Sequence, residues 1–230
     1  MNIQQYLDSY KKENESIKLE IIKAIQSYAT PVHESVPERD KYGVIFEGFA
    51  VARYMPWLPA ANYYNTALSP DRLYMIKQFL EMAPEGKCVE CGVYTGGVTR
   101  MMLDAYRDVI AFDTFEGIKG AGEFDLHQDG DYDAGDVTKY IQGAEIVRGE
   151  IPYTFNGRDD TDIAFVHLDM DIYEPTRAAL AYFYPRMREG GIIVLDDYGF
   201  WTTPGIKKAV DEFHFAKKIY LPTGQMVIFR

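Results

Sequence analysis

Two segments of the chain end in aspartates, His167-Leu168-Asp169-Met170-Asp171 and Val194-Leu195-Asp196-Asp197-Tyr198. Each follows an apolar run, Ile163 to Leu168 and Gly191 to Leu195, the pattern of a buried strand whose carboxyl end meets solvent. Open α/β sheets bind ligands outside those ends, and consecutive strands tend to be neighbours, so the acids should converge. Carboxylates brought close together repel unless protonated or neutralised, and an oxygen-rich cluster favours Mg²⁺, Mn²⁺ or Ca²⁺ over softer metals. Asp169, Asp196 and Asp197 are therefore expected to hold a divalent cation, whereas Asp171 and Glu174 are expected to be solvated acids capping the next helix.

A second constellation, Glu90-Cys91-Gly92-Val93-Tyr94-Thr95-Gly96-Gly97, follows an extended run and opens a helical one. Its glycines let the backbone turn sharply and approach a ligand, the arrangement expected at a nucleotide-like cofactor. The spacing is neither the G-x-G-x-x-G of a pyrophosphate site nor a Gly-Lys-Ser/Thr triphosphate loop, which argues against a nicotinamide oxidoreductase and a nucleotide hydrolase. Glu90 at the end of one strand suits an amino group, and Asp113 at the end of the next suits two ribose hydroxyls. Together they suit S-adenosylmethionine.

These segments carry a family resemblance. E-C-G-V-Y-T-G-G, F-D-T-F-E-G (112–117), V-R-G-E-I-P-Y-T-F (147–155), H-L-D-M-D-I-Y-E-P-T (167–176) and L-D-D-Y-G (195–199) run in the order of the macrocin O-methyltransferase family, which the chain resembles from about Thr66 to Phe213. The resemblance implies a Rossmann-like class I methyltransferase and transfer of a methyl group from S-adenosylmethionine to a sugar hydroxyl of a glycosylated natural product, with Mg²⁺ as the metal. It also implies a cofactor set of Thr66, Glu90, Gly92, Tyr94, Gly96, Asp113, Thr114 and Gly149, with Asp169, Asp196 and Asp197 ligating metal and Asp169 doubling as the base. Met170 and Glu150 depart from the family's usual small and aromatic residues. The same metal chemistry would serve a catechol-like diphenol, and a non-catalytic cofactor-binding protein is the alternative from another class.

Other residues invite chemistry less strongly. His167 lies two positions from Asp169 on the same strand face and reads as a satisfied core histidine, or else as a support for the acids. His127 sits in a polar glycine-rich stretch, Gly120 to Asp136, that suits a lid over substrate better than a calcium loop. Cys88 and Cys91 form a lone C-x-x-C inside an expected strand, where packing is the favoured role over zinc or redox chemistry.

The elements that must position these residues are legible as an alternation. Helix is expected from about Asp71 to Met82, after Gly96 through Tyr106, and from near Pro175. Strands are expected at Lys87–Cys91, Val109–Asp113, Glu145–Arg148, Asp162–Leu168 and Gly191–Leu195. Lys218–Leu221 and Gln225–Phe229 flank a Pro-Thr-Gly turn and read as an antiparallel hairpin. The expected fold is α/β, a mostly parallel seven-stranded sheet with a C-terminal antiparallel hairpin. Residues 1–70 are expected to form a helical and irregular accessory segment on a methyltransferase domain of 71–230, with an amphipathic helix over 4–28. Tyr54, Trp57, Tyr63 and Tyr64 are expected to form an acceptor wall, core or a subunit interface.

Composition fits this reading. The 230 residues are 47% hydrophobic and 26% charged, as in a globular chain with one large core. A net charge of −11 would repel a phosphate backbone, so nucleic acid is an unexpected partner. No apolar run suits a bilayer span and the first ten residues are polar, so the expected compartment is the cytoplasm. A homodimer is expected from the apolar stripe of the N-terminal helix.

Overall fold

Three uninterrupted apolar runs, Val-Ile-Ala-Phe at 109–112, Ile-Ala-Phe-Val-His-Leu at 163–168 and Ile-Ile-Val-Leu at 192–195, can be satisfied only by burial on both faces, and they form the middle of a sheet. The computed structural model describes residues 64–230, Tyr106 excepted. The helix expected over 4–28, most of the aromatic cluster and the proposed dimer surface lie outside the described residues.

In chain order the elements are α1 (Pro70–Met82), β1 (Lys87–Cys91), α2 (Gly97–Asp104), β2 (Val109–Asp113), β3 (Glu145–Arg148), β4 (Ile163–Leu168), α3 (Tyr173–Phe183), β5 (Met187–Leu195), α4 (Pro204–Asp211), β6 (Lys217–Tyr220) and β7 (Met226–Phe229). The seven strands lie in the order β3-β2-β1-β4-β5-β7-β6. The first five are mutually parallel, and β7 is antiparallel to both β5 and β6. The direction of winding reverses between β1 and β4, and the crevice where ligands bind in such folds opens at that point.

Each face is covered by helices whose apolar residues recur at three and four. Leu73, Ile76 and Leu80 of α1 pack with Val98, Met101 and Met102 of α2 on one face. Ala179, Leu180 and Phe183 of α3 and Ile206 and Val210 of α4 pack on the other. Removing each large side chain from water contributes roughly 1.5–3 kcal/mol, so these stripes fix the helices to the sheet. Phe112, Phe155 and Phe183 meet edge to face at 5.3 to 5.7 Å, and Phe155 stacks on Tyr182 at 4.2 Å.

Among the elements, the structure departs most from the sequence reading at α4 and β5. Helix α4 was not expected, although Pro204 at its first turn and Ile206, Ala209 and Val210 on one face are helix signals. Strand β5 begins at Met187 rather than Gly191, because a register shift against β4 lets the exposed Arg188, Glu189 and Gly190 bulge outward without ending the strand. Cys88 and Cys91 are free and buried on opposite faces of β1, Cys88 in the α1–α2 core and Cys91 in the α3–α4 core. Burial pushes the Cys88 thiol up to about 12. A single ion or disulfide cannot join them.

Candidate active site

The sheet's hydrogen-bond ladder runs one residue past each central strand. Gly92 N–H donates to Phe112 O (3.0 Å), Asp169 N–H to Cys91 O (2.9 Å) and Asp196 N–H to Leu168 O (2.8 Å). Gly92, Asp169 and Asp196 therefore stand side by side along the carboxyl edge. The approach is so close that a Cβ on Gly92, where φ is +86°, would sit 1.8 Å from Asp169 O.

Beyond that edge lies a cleft open to solvent, walled by the glycine turn and Asp113 at one end and by the β4 and β5 aspartates at the other. Of the expected cofactor residues, Gly92, Tyr94, Asp113, Thr114 and Gly149 line it, and Thr66 and Glu90 line a smaller chamber joined to it at Gly92, Tyr94 and Asp169. Gly96 lines neither; in the left-handed conformation (φ +85°) it caps α2.

Two acids do more than the sequence reading asked of them. Asp113 accepts the N–H groups of Val93 (2.6 Å) and Tyr94 (3.0 Å) on Oδ2 and that of Phe115 (2.6 Å) on Oδ1, so it shapes the glycine turn. A carboxylate has about four acceptor positions, which leaves room for a ribose hydroxyl. Glu90, expected at an amino group, is buried, with one oxygen accepting from the Thr99 hydroxyl and the other 3.2 Å from His167 Nδ1. Two of its acceptor positions are thus taken, and it still borders the smaller chamber. Thr114 Oγ1 closes the next turn by donating to Gly117 O (2.7 Å).

At the β4–β5 end of the cleft the acids gather. One carboxylate oxygen each from Asp169, Asp171 and Asp197 lies within 4.8 Å of the others. Asp196, 2% exposed, stands beside them, and Arg72 of α1 donates to both Asp196 and Asp197 while its guanidinium lies 4.7 Å above the Phe200 ring. Asp171 thus corrects the capping expectation. With φ +61° it turns back against Asp197 (φ +58°), and the first amide of α3, Tyr173 N–H, is capped by Asp125 at 2.8 Å. Aspartate tolerates the left-handed region better than most residues, which makes the double reversal affordable here. Glu174 is exposed on the first turn of α3 and pairs with Arg177 (3.3 Å).

Crowding changes the acids' protonation. Burial, then the charges of Asp196, Asp171 and Asp197, drive Asp169 well above the usual carboxylate range, against the pull of Arg72. Burial and a hydrogen bond with Asp197 push Asp171 up to about 8. Burial raises Asp196 to about 6 despite the neighbouring Arg72. The oxygens of Asp169, Asp171 and Asp197 stand close enough together to suit a hard divalent cation, whereas Asp196, expected as a ligand, lies outside that trio with Oδ2 on Arg72.

The stretch between β2 and β3 folds over this end. Ile118 N–H donates to Asp131 O and Gly130 N–H to Ile118 O, both at 2.8 Å, and Tyr132 lines the cleft while meeting Tyr94 and His127 edge to face at 5.7 and 5.3 Å. Burial, with Asp171 and Asp197 nearby, raises the Tyr132 phenol. Sequence reasoning missed Arg72 and Tyr132 as residues of the site. Nothing local marks either, because the groups they serve lie far along the chain.

A crevice at the switch point, a glycine turn clamped by a strand-end acid and acids on the next two strands define a class I, S-adenosylmethionine-dependent methyltransferase. The macrocin O-methyltransferase (TylF) family model matches residues 143–228, covering β3 to β7 and the acid cluster. The chain is 28% identical to a demethyldecarbamoylnovobiocin O-methyltransferase of Streptomyces niveus, over 65% of this chain and 67% of that protein. It is 29% identical to a tetracenomycin-C rhamnosyl 4'-O-methyltransferase of Streptomyces olivaceus, over 54% of this chain and 58% of that protein. The O-methyltransferase NovP superposes with a TM-score of 0.60 at 27% identity, covering 72% of this chain and 81% of that one. The calicheamicin methyltransferase CalS11, at 21% identity and a TM-score of 0.57, shares the fold over 94% of this chain and 92% of its own. By these likenesses the chain is an O-methyltransferase, and its similarity to the macrocin O-methyltransferase model lies in residues 143–228.

Proposed function

We propose that this protein methylates a hydroxyl of a sugar or glycosylated natural product, using S-adenosylmethionine and a divalent cation, Mg²⁺ foremost, held by Asp169, Asp171 and Asp197 with Asp196 alongside. The observation that carries the reading is the convergence of the Asp169, Asp171 and Asp197 oxygens within 4.8 Å at the mouth of the cofactor cleft. The sugar acceptor is supported by the relative named for 4'-O-methylation of a rhamnosyl-tetracenomycin.

S-adenosylmethionine, when bound, would supply an electrophilic methyl carbon on a sulfonium sulfur, with the thioether S-adenosylhomocysteine as the leaving group once the acceptor oxygen takes the methyl. A divalent cation held by these aspartates would supply positive charge that lowers the pKa of a bound hydroxyl. The chain's own residues do the rest. The turn held by Asp113 orients the methionine end, and Thr66 and Tyr94 wall it. Asp169 accepts the hydroxyl proton, with Asp171 next to it in the cleft as the alternative base. Tyr132 closes the acceptor side against water. The reading extends to a homodimer in the cytoplasm, with residues 1–70 as an accessory segment and no nucleic-acid partner, supported by the net charge of −11.

Asp197→Asn tests the division of labour. It removes a metal oxygen and leaves Asp113 untouched, so turnover with Mg²⁺ should fall by about a hundredfold or more while S-adenosylhomocysteine affinity stays within about threefold. Parallel loss of both would contradict the assignment.

A further inference from the structure

The N-termini of α3 and α4 lack caps of their own. The residue before α3 is Ile172, buried and apolar, and Thr203 before α4 turns its hydroxyl back to Asp197 O (3.0 Å). First-turn amides left in this way need an acceptor from elsewhere. For α3 it comes from Asp125, whose Oδ1 accepts Tyr173 N–H at 2.8 Å. The same oxygen lies against α4, where a Cβ on Gly205 would sit 2.2 Å from it. Gly205 thus leaves the space that the Asp125 carboxylate fills, and a negative group beside two helix N-termini is favoured by both dipoles.

Asp125 belongs to the stretch between β2 and β3, and the rest of that stretch is bonded to itself. Ala121 N–H donates to Asp129 Oδ1 (3.0 Å), Gly122 N–H to Asp125 Oδ2 (2.9 Å) and Gln128 N–H to Asp131 Oδ2 (2.9 Å). The bonds of Ile118 with Asp131 and Gly130 close the stem, which makes 118–131 a compact loop held by its own groups. Ile118, Lys119 and the adjoining Tyr132 line the cleft at the stem. At the tip the Phe124 ring meets Tyr173 edge to face at 5.1 Å, and Lys208 Nζ lies 4.6 Å above it. Tyr173 and Lys208 belong to α3 and α4, the helices that follow the two acid-bearing strands.

We infer that Asp125 is a positioning residue that latches the 118–131 loop to the first turns of α3 and α4 and, through that loop, holds Tyr132 over the cleft beside Tyr94. Gly205 is the socket of the latch. The loop then spans both halves of the cleft, with Tyr132 against the cofactor turn at the stem and the tip fixed to the helices behind the acids. The inference rests on the reading of Tyr132 as the wall that closes the acceptor side.

The test is hydrogen exchange, read by mass spectrometry on the full chain with saturating S-adenosylhomocysteine and again without it. The unmutated protein is compared with Asp125→Ala, Asp125→Asn and Gly205→Ala. Peptides over 118–131 report the loop, and peptides over 163–168 report β4. In Asp125→Ala the loop should exchange about tenfold or more faster with β4 unchanged, because opening the tip no longer breaks the latch. Asparagine caps a helix about as well as aspartate, so Asp125→Asn should stay within about threefold of the unmutated protein. Gly205→Ala keeps the carboxylate but fills its socket, and it should match Asp125→Ala even though alanine ordinarily steadies a helix. Faster exchange confined to 122–125, or no change in either alanine variant, would overturn the latch. Faster exchange of β4 in step with the loop, or failure of both alanine variants to fold, would mark a structural cap only and overturn it too. If S-adenosylhomocysteine slows exchange nowhere in the unmutated chain, the cofactor reading falls, while the ligand-free measurements still decide the latch.

Discussion

Asp113 draws three backbone N–H groups onto one carboxylate, and hydrogen bonds to a charged group are worth about 1.5–3 kcal/mol each. Asp113→Asn should therefore weaken S-adenosylhomocysteine binding by about tenfold or more in calorimetry, because the turn relaxes and a ribose acceptor is lost. Arg72 is the only cation hydrogen-bonded to the acid cluster among the described residues. Arg72→Met should lower the melting temperature in EDTA and lower it less in millimolar Mg²⁺, since uncompensated buried charge costs about 3–5 kcal/mol. The pH dependence follows from the raised acids. Asp171 at about 8 and Asp196 at about 6 bind protons more tightly than an unfolded aspartate near 3.9. Their contribution is full below about pH 4 and is lost as pH rises through about 8. Thermal melts in EDTA should fall across that window, and Mg²⁺ should remove most of the fall; a flat profile in EDTA would contradict the crowding. At this scale the placement of Asp113, Asp169, Asp196 and Asp197 along the cleft was legible, because apolar runs that end in acids mark the carboxyl ends of strands. Asp171 was misread because helix capping is the ordinary role of an aspartate there, and the true cap, Asp125, comes from a loop 48 residues upstream.

The elements were legible where periodicity was clean. The buried strands β2 and β4 stand within a residue of their expected bounds, since an unbroken apolar run bordered by polar residues admits little else. Helix α4 is short, and its apolar positions sit among lysines beside the aromatic loop 198–201, which masked the pattern. Ile206 is nonetheless 2% exposed, and Ile206→Ala should cost about 2–5 kcal/mol in denaturant unfolding. The junction between β1 and α2 is stricter. Gly92→Ala would drive a methyl group into the Asp169 carbonyl, so it should displace the β4 end and abolish metal-dependent turnover even where the protein still folds.

At the scale of the molecule, the reversal of winding between β1 and β4 opens the crevice, and the acidic strand ends on either side divide it. Asp113 and the glycine turn serve one half, and the β4 and β5 aspartates the other. Alternating strands and helices made that architecture readable, whereas the pairing of Arg72 with Asp196 and Asp197 joins residues more than 120 positions apart and exists only once the sheet is closed. The cofactor half should therefore bind its ligand without the cation half. The measurement that tests this most directly is calorimetric titration of the purified chain with S-adenosylhomocysteine in Mg²⁺ and again in EDTA. Binding in both buffers, with affinities within about tenfold of each other, is the predicted result. No binding in either would contradict the methyltransferase assignment and leave only an α/β sheet with an acidic cleft.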